Sequence, residues 1–105
     1  MQIAETPKPP YYAVIMTTVA TGNDGDYQDM VHDLMEYVQN QPGFLGAETV
    51  DGGLGIMVSY WDSLDAIRGW KQDDKHTVAQ HRGRSEWYTA CKTRICRVEH
   101  EYGFS

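Results

Sequence analysis

Leu54-Gly55-Ile56-Met57-Val58-Ser59-Tyr60-Trp61-Asp62-Ser63-Leu64-Asp65-Ala66-Ile67-Arg68-Gly69-Trp70 is the stretch whose reading decides the fold. Its first half is a short run rich in β-branched and aromatic residues, which predicts a strand. Asp62-Ser63 interrupts the run. Asp62 can cap a helix by accepting first-turn N–H groups, and Asp65 adds negative charge where the helix dipole favours it. Leu64, Ile67 and Trp70 then recur at helical spacing. Further on, the chain turns basic and histidine-rich, with Lys71, Lys75, His76, His81, Arg82 and Arg84. All three tryptophans lie between Leu54 and Tyr88, so a ligand pocket is expected to draw its walls from here.

Working outward, Tyr11 to Val19 is a strand with apolar or small residues on both alternating faces: Tyr11, Ala13, Ile15 and Tyr12, Val14, Met16. Tyr27, Met30, Val31, Leu34 and Val38 form one apolar helical face, and Pro42-Gly43 stops that helix near Gln41. Asp24 and Asp26 sit at its start. His32 falls on the wet side. Phe44 to Val50 is a second strand, joined to the third by the turn Asp51-Gly52-Gly53, which predicts an antiparallel hairpin. Residues 72–90 form an irregular helical region broken at Gly83, and Lys92 to His100 alternates as a last strand. Residues 1–10, with three prolines, are an N-terminal arm that needs a partner to order it. Residues 11–105 form a single domain.

The order strand, helix, strand, strand, helix, strand is the split βαβ, ferredoxin-like pattern, an α+β fold with both helices on one sheet face. The first strand is apolar on both sides, and the third carries Leu54, Ile56, Val58 and Tyr60 on one side and Met57 and Trp61 on the other, so the face that the helices leave uncovered would be a large apolar patch. Monomers seldom leave such a patch uncovered, so a homodimer is expected.

Length allows one core. The net charge of −6 is uneven: residues 1–67 carry ten acids against Lys8 alone, whereas residues 68–105 carry eight Lys or Arg against five acids. An acidic total without basic residues interleaved among stacking aromatics argues against nucleic acid. The local basic balance from Lys71 to Arg97 could attract a small anion. No window of about 18 apolar residues spans a membrane, and the N-terminus has no apolar core of a signal peptide. Cys91 and Cys96 fit neither a redox pair nor a metal knuckle. An odd spacing on one strand puts them on opposite faces, so free thiols in a reducing cytoplasm are expected. His76 and His81 are five apart and make no zinc pair at i, i+4, and no metal site is expected.

The pieces Ser59-Tyr60-Trp61, Trp70-Lys71, Ala79-Gln80, Gly83-Arg84, Trp87-Tyr88 and Arg97-Val98-Glu99, with Gln41-Pro42-Gly43-Phe44-Leu45-Gly46, resemble the antibiotic biosynthesis monooxygenase (ABM) family, in an uncharacterised bacterial branch. The resemblance spans roughly residues 11–104. It implies a dimeric α+β barrel and, as activity, cofactor-independent oxygenation of an aromatic, quinol or polyketide-like small molecule. Two alternatives are a non-catalytic small-molecule-binding module and a haem-degrading monooxygenase. For haem degradation the family pattern asks for an Asn on the first strand, a Trp on the second helix and a His about ten residues later. Trp70 matches; Gln80 stands at the His distance, with His81 one step away; the first strand offers only Thr17 and Thr18.

Cofactor-free oxygenation asks for a base, a donor that steadies an oxyanion, and a dry cavity. His76 is the leading base and His81 a weaker one, as base or axial ligand. Arg84 and Tyr88 are the candidate donors. Arg84 is otherwise a salt-bridge partner for Glu86 or Asp73. Tyr60, Trp61, Trp70, His81 and Trp87 are the candidate substrate-binding residues, though the three tryptophans read first as core, and Tyr60 serves as well to fill a dimer interface. A buried Trp needs a partner for its N–H, which a pocket wall would supply.

Overall fold

A computed structural model describes residues 2–22, 25–52 and 54–104. The turn residues Asn23, Asp24 and Gly53 lie outside them. The elements run β1 (Tyr11–Ala20), α1 (Tyr27–Val38), β2 (Phe44–Val50), β3 (Leu54–Trp61), α2 (Leu64–Gln72), α3 (Asp74–Arg82), a π-helical turn (Gly83–Trp87) and β4 (Tyr88–Val98). The four strands form one antiparallel sheet in the order β2-β3-β1-β4, as the split βαβ pattern requires.

Local chemistry explains the boundaries. Ser63, not Asp62, caps α2: its hydroxyl accepts from the Ala66 N–H at 3.0 Å. Asp62 stays in the corner, where its N–H donates to the Gly43 carbonyl. Gly43 holds φ +81°, and a Cβ there would press on Asp62 and Ala66. The helix that the sequence carries to Gln41 ends at Val38. The irregular region resolves at Asp73, whose carboxylate caps α3 through the His76 N–H at 3.1 Å. The last strand starts four residues earlier than expected, at Tyr88, because the π turn hands the chain to β1: the Thr21 N–H donates to the Trp87 carbonyl at 2.8 Å.

The two sheet faces differ. Val38, Trp61 and Ile67 form the buried core on the helix side, with Tyr12, Val14, Met35, Phe44, Ala66 and Trp70 packed around them. On the other face one end is covered by the chain itself. The Ala4 N–H donates to Glu48, the Thr6 hydroxyl to Glu101, and Ala4 lies over Gly46. The N-terminal arm therefore has partners within its own chain. Beneath it the Tyr11 hydroxyl donates to Glu101 and the Tyr60 hydroxyl to Glu48, each at 2.6 Å. The opposite end of that face is bare, with Val19, Val50, Leu54 and Ile56 exposed. Cys91 and Cys96 are free thiols paired in register with Thr18 and Ala13, on opposite faces. Among the described residues no helix is long and apolar enough to cross a membrane.

Candidate functional site

The layer between helices and sheet holds two aromatic clusters, one at each end. Six residues separate Trp61 from Gly55 on β3, which places the clusters about 20 Å apart.

The first cluster gathers Trp61, Trp70 and His76. Trp61 is fully buried, edge-on to Phe44 at 5.2 Å and tilted against Trp70 at 6.1 Å. Its indole N–H donates to the Ser59 hydroxyl at 3.0 Å, so the sheet itself supplies the partner that a pocket wall was expected to give. His76 stacks on Trp70 with ring centroids 4.1 Å apart and planes 10° from parallel. Its Nδ1 lies 2.9 Å from the Trp70 carbonyl and 3.2 Å from the Gln80 amide nitrogen. A carbonyl only accepts, so Nδ1 carries the proton and faces Trp70. Burial pushes the His76 pKa down, against the opposing pull of that hydrogen bond and of Asp73. Asp73 also accepts from the Tyr37 hydroxyl at 2.6 Å, and its carboxyl is held below the usual range by that bond. Outside this cluster a wide-open basin of about 300 Å³ is lined by Asp33, Glu36, Tyr37, Asn40 and Lys75.

The second cluster surrounds a partly enclosed pocket of about 210 Å³ lined by Thr18, Ala20, Gly22, Tyr27, Gln28, Asp51, Gly52, Gly55, Trp87 and Tyr88. Tyr27 stands edge-on to Trp87 at 5.1 Å and to Tyr88 at 5.9 Å. The Tyr88 hydroxyl donates to the Tyr27 hydroxyl at 3.0 Å. Burial first, and that bond second, hold the Tyr88 hydroxyl well above the ordinary tyrosine range, so it stays protonated and acts as a donor. Donation into Tyr27 leaves the Tyr27 proton for another acceptor. Thr18 is a buried polar residue on the floor.

An ion cluster holds the walls together. Arg82 donates through both terminal nitrogens to Asp26 at 2.7 Å, and through Nε to Glu86 at 2.6 Å. Its guanidinium also lies 4.9 Å from the Trp87 ring centre. The start of α1 and the π turn are thus pinned to one arginine. A π turn of this kind often marks a functional site.

The sequence-derived candidates divide. Trp87 and Tyr88 line the pocket; Trp61, Trp70 and His76 belong to the other end. Tyr60 lies on the far face of the sheet under the arm, its pKa pushed up to about 12 by burial and by its bond to Glu48. His81 and Arg84 are exposed. Arg84 pairs with neither Glu86 nor Asp73: Arg82 takes the first and Tyr37 the second. Tyr27, Thr18, Gln28 and Asp51 are pocket residues the sequence did not single out; Tyr27 read as helix core because it shares the apolar period of α1. Among the described residues no Lys, Arg or His lines the pocket, and Arg82 meets its wall from behind, over Trp87.

Known proteins carry the same fold. The chain superposes on SO0527 of Shewanella oneidensis with a TM-score of 0.75 at 10% identity, covering 85% of this chain and 91% of that one. A variant of SnoaB, a cofactor-independent oxygenase from Streptomyces nogalater, gives a TM-score of 0.75 at 10% identity, covering 87% and 95%. In sequence the chain is 43% identical to the uncharacterised protein YqjZ of Bacillus subtilis over 101 residues, covering 94% of this chain and 89% of the relative. The profile described as "Antibiotic biosynthesis monooxygenase" matches residues 10–82, and with both matches in hand the chain belongs to that family.

Proposed function

We propose that the chain is a cofactor-independent monooxygenase whose substrate is a small phenolic or quinol ring held in the pocket between Tyr27, Trp87 and Tyr88. The Tyr27–Tyr88 hydroxyl pair carries this reading: a protonated donor chain ends among aromatic walls. Edge-on rings accept a flat ligand, and the Tyr27 hydroxyl supplies a hydrogen bond to its oxygen. As that oxygen gathers negative charge, a donor already fixed by a second donor stabilises it without reorganisation. Asp51, a carboxylate at the exposed edge of the lining, is the proton acceptor in this scheme. The substrate supplies all four electrons that reduce O₂. Oxidation of a hydroquinone to the hydroxyquinone replaces one ring C–H by C–OH, places one oxygen atom of O₂ on that carbon and releases the other as water, with two hydrogens lost by the ring.

Haem does not fit the site. A volume of about 210 Å³ is below that of most drug-sized ligand sites, and among the described residues the lining offers no His, Cys or Met to iron. The pocket suits one or two fused rings. The free thiols of Cys91 and Cys96 agree with a cytoplasmic protein. The exposed Val19, Val50, Leu54 and Ile56 on the bare sheet face support a homodimer that buries them.

The exposure of Asp51, the carboxylate among the described lining residues, favours one second reading, a module that binds such rings without turnover. Oxygen uptake with a panel of hydroquinones and anthrone-like phenols separates the two. Turnover reduced about a hundredfold in Tyr27→Phe and Tyr88→Phe, with binding kept, supports the enzyme. Tight binding with no oxygen consumed by the wild type establishes the module.

A further inference from the structure

On the pocket floor Thr18 of β1 stands opposite Gly55 of β3. Gly55 lacks the left-handed φ that favours glycine, and a glycine inside a strand weakens it. Space is what this glycine provides. A Cβ there would stand 2.7 Å from the Thr18 hydroxyl oxygen and 3.4 Å from Asp51 Oδ1. The two oxygens therefore flank the opening over Gly55, and a ligand atom resting on this glycine lies between them.

Both oxygens are uncommitted. Thr18 is only 7% exposed, yet among the described residues its hydroxyl meets no hydrogen-bond partner. No sealed side-chain polar atom among those residues lacks a partner, so this hydroxyl opens into the pocket that Thr18 lines. Asp51 likewise has no hydrogen-bond or ion-pair partner among the described residues. A deeply buried hydroxyl in that position is satisfied by water or by a bound ligand.

The two groups ask different things of a ligand. A carboxylate only accepts, whereas a threonine hydroxyl donates and accepts. A ring hydroxyl over Gly55 suits both: it donates to Asp51 and accepts from Thr18. A ring carbonyl suits Thr18 alone and sets its lone pairs against the carboxylate. The Tyr27 hydroxyl makes no such distinction, because it can donate to either kind of oxygen.

We propose that Thr18 and Asp51 read the redox state of the bound ring, holding the quinol and turning away the quinone. This rests on the proposed ring pocket and adds its selectivity. When a hydroquinone becomes a hydroxyquinone, its two hydroxyl hydrogens leave and those two C–OH groups become carbonyls. The product then presents an acceptor to Asp51 where the substrate presented a donor. The pair that fixes the substrate thus also favours release of the product.

The test is anaerobic equilibrium dialysis of the full chain against 2,3-dimethyl-1,4-naphthoquinone and, separately, its dithionite-reduced quinol. The methyl groups keep the free thiols of Cys91 and Cys96 from adding to the ring. The quinol is expected to bind the wild type about tenfold more tightly than the quinone. Asp51→Asn keeps the shape but can turn an N–H to a carbonyl. Its preference should shrink to about twofold or less, through tighter quinone binding. Thr18→Val should weaken both forms alike, since Thr18 donates to either. Equal affinities in the wild type, or a preference that survives Asp51→Asn, overturn the subsite and leave the ring pocket standing. Binding of neither form overturns the ring pocket itself.

Discussion

The two ends of the helix–sheet layer are built from the same residue types and do opposite things. At one end Trp61, Trp70 and His76 stack into each other, the Trp61 N–H donates to Ser59 and the His76 Nδ1 meets the Trp70 carbonyl. At the other end Tyr27, Trp87 and Tyr88 meet edge-on and leave about 210 Å³ open. Residue size explains part of the difference. Thr18 and Gly55 pair across the strands at the open end, where Tyr12 and Trp61 pair at the filled one. The rest comes from what closes each end: α2 and α3 lie across the first, whereas a π turn pinned by Arg82 borders the second. Abundant aromatics therefore do not mark a pocket. A pocket needs small residues on the strands beneath them.

Mutations can break this comparison at its strongest point first. Trp61→Ala removes a fully buried side chain, at 0% exposure. It is expected to lower stability by about 3–5 kcal/mol, read by urea unfolding. Ring-ligand affinity of the fraction that stays folded should hold, since Trp61 does not line the pocket. Equal loss of affinity and stability would mean that the two ends are one unit.

Gly43→Ala should come next. The left-handed φ of +81° and the crowding against Asp62 and Ala66 act together. About 2–3 kcal/mol of destabilisation is expected, again with the pocket unaffected. Gly55→Ala has the reverse profile. A Cβ there would sit 2.7 Å from the Thr18 hydroxyl and take up part of the pocket floor. Thr18 can turn aside, so stability should fall by only about 1 kcal/mol. Ligand affinity should fall about tenfold, read by titration with a hydroquinone. Unchanged affinity would place the binding site elsewhere.

The strand order, the hairpin, the uncovered sheet face and the opposite-facing cysteines were legible in the sequence, because periods of 2 and 3.6 report burial directly. The site was legible only in part. Trp87-Tyr88 stood out as an aromatic pair beside a glycine break. Tyr27 did not, since a pocket wall and a helix core share one apolar period. His76 attracted attention as the residue best poised near neutral pH, yet its ring is laid on Trp70 by the Asp73 cap, and no spacing rule reveals a stack formed across two helices. Ser63 and Asp62 are both good caps by type. The choice between them fell to Gly43, whose carbonyl takes the Asp62 N–H from a distant loop. The pairing of Arg82 with Asp26 was likewise decided by tertiary position.

The smallest expected effect bears on His76 and is one of pH. Burial holds its folded pKa below the unfolded value of about 6.5. Above that value the ring is neutral in both states and its contribution is fully present. As pH falls through about 6.5 and then through the folded pKa, the unfolded chain binds the proton more readily, so stability is lost. The wild type should lose stability as pH falls from neutral through about 6.5 relative to His76→Phe, which keeps a ring on Trp70 but cannot titrate. Urea midpoints at several pH values measure this. Oxygen uptake by His76→Phe should match the wild type across the same range, because His76 belongs to the filled end. Uptake lost together with an acid limb near the His76 pKa would instead make this histidine the base, and the filled end would then be part of the chemistry.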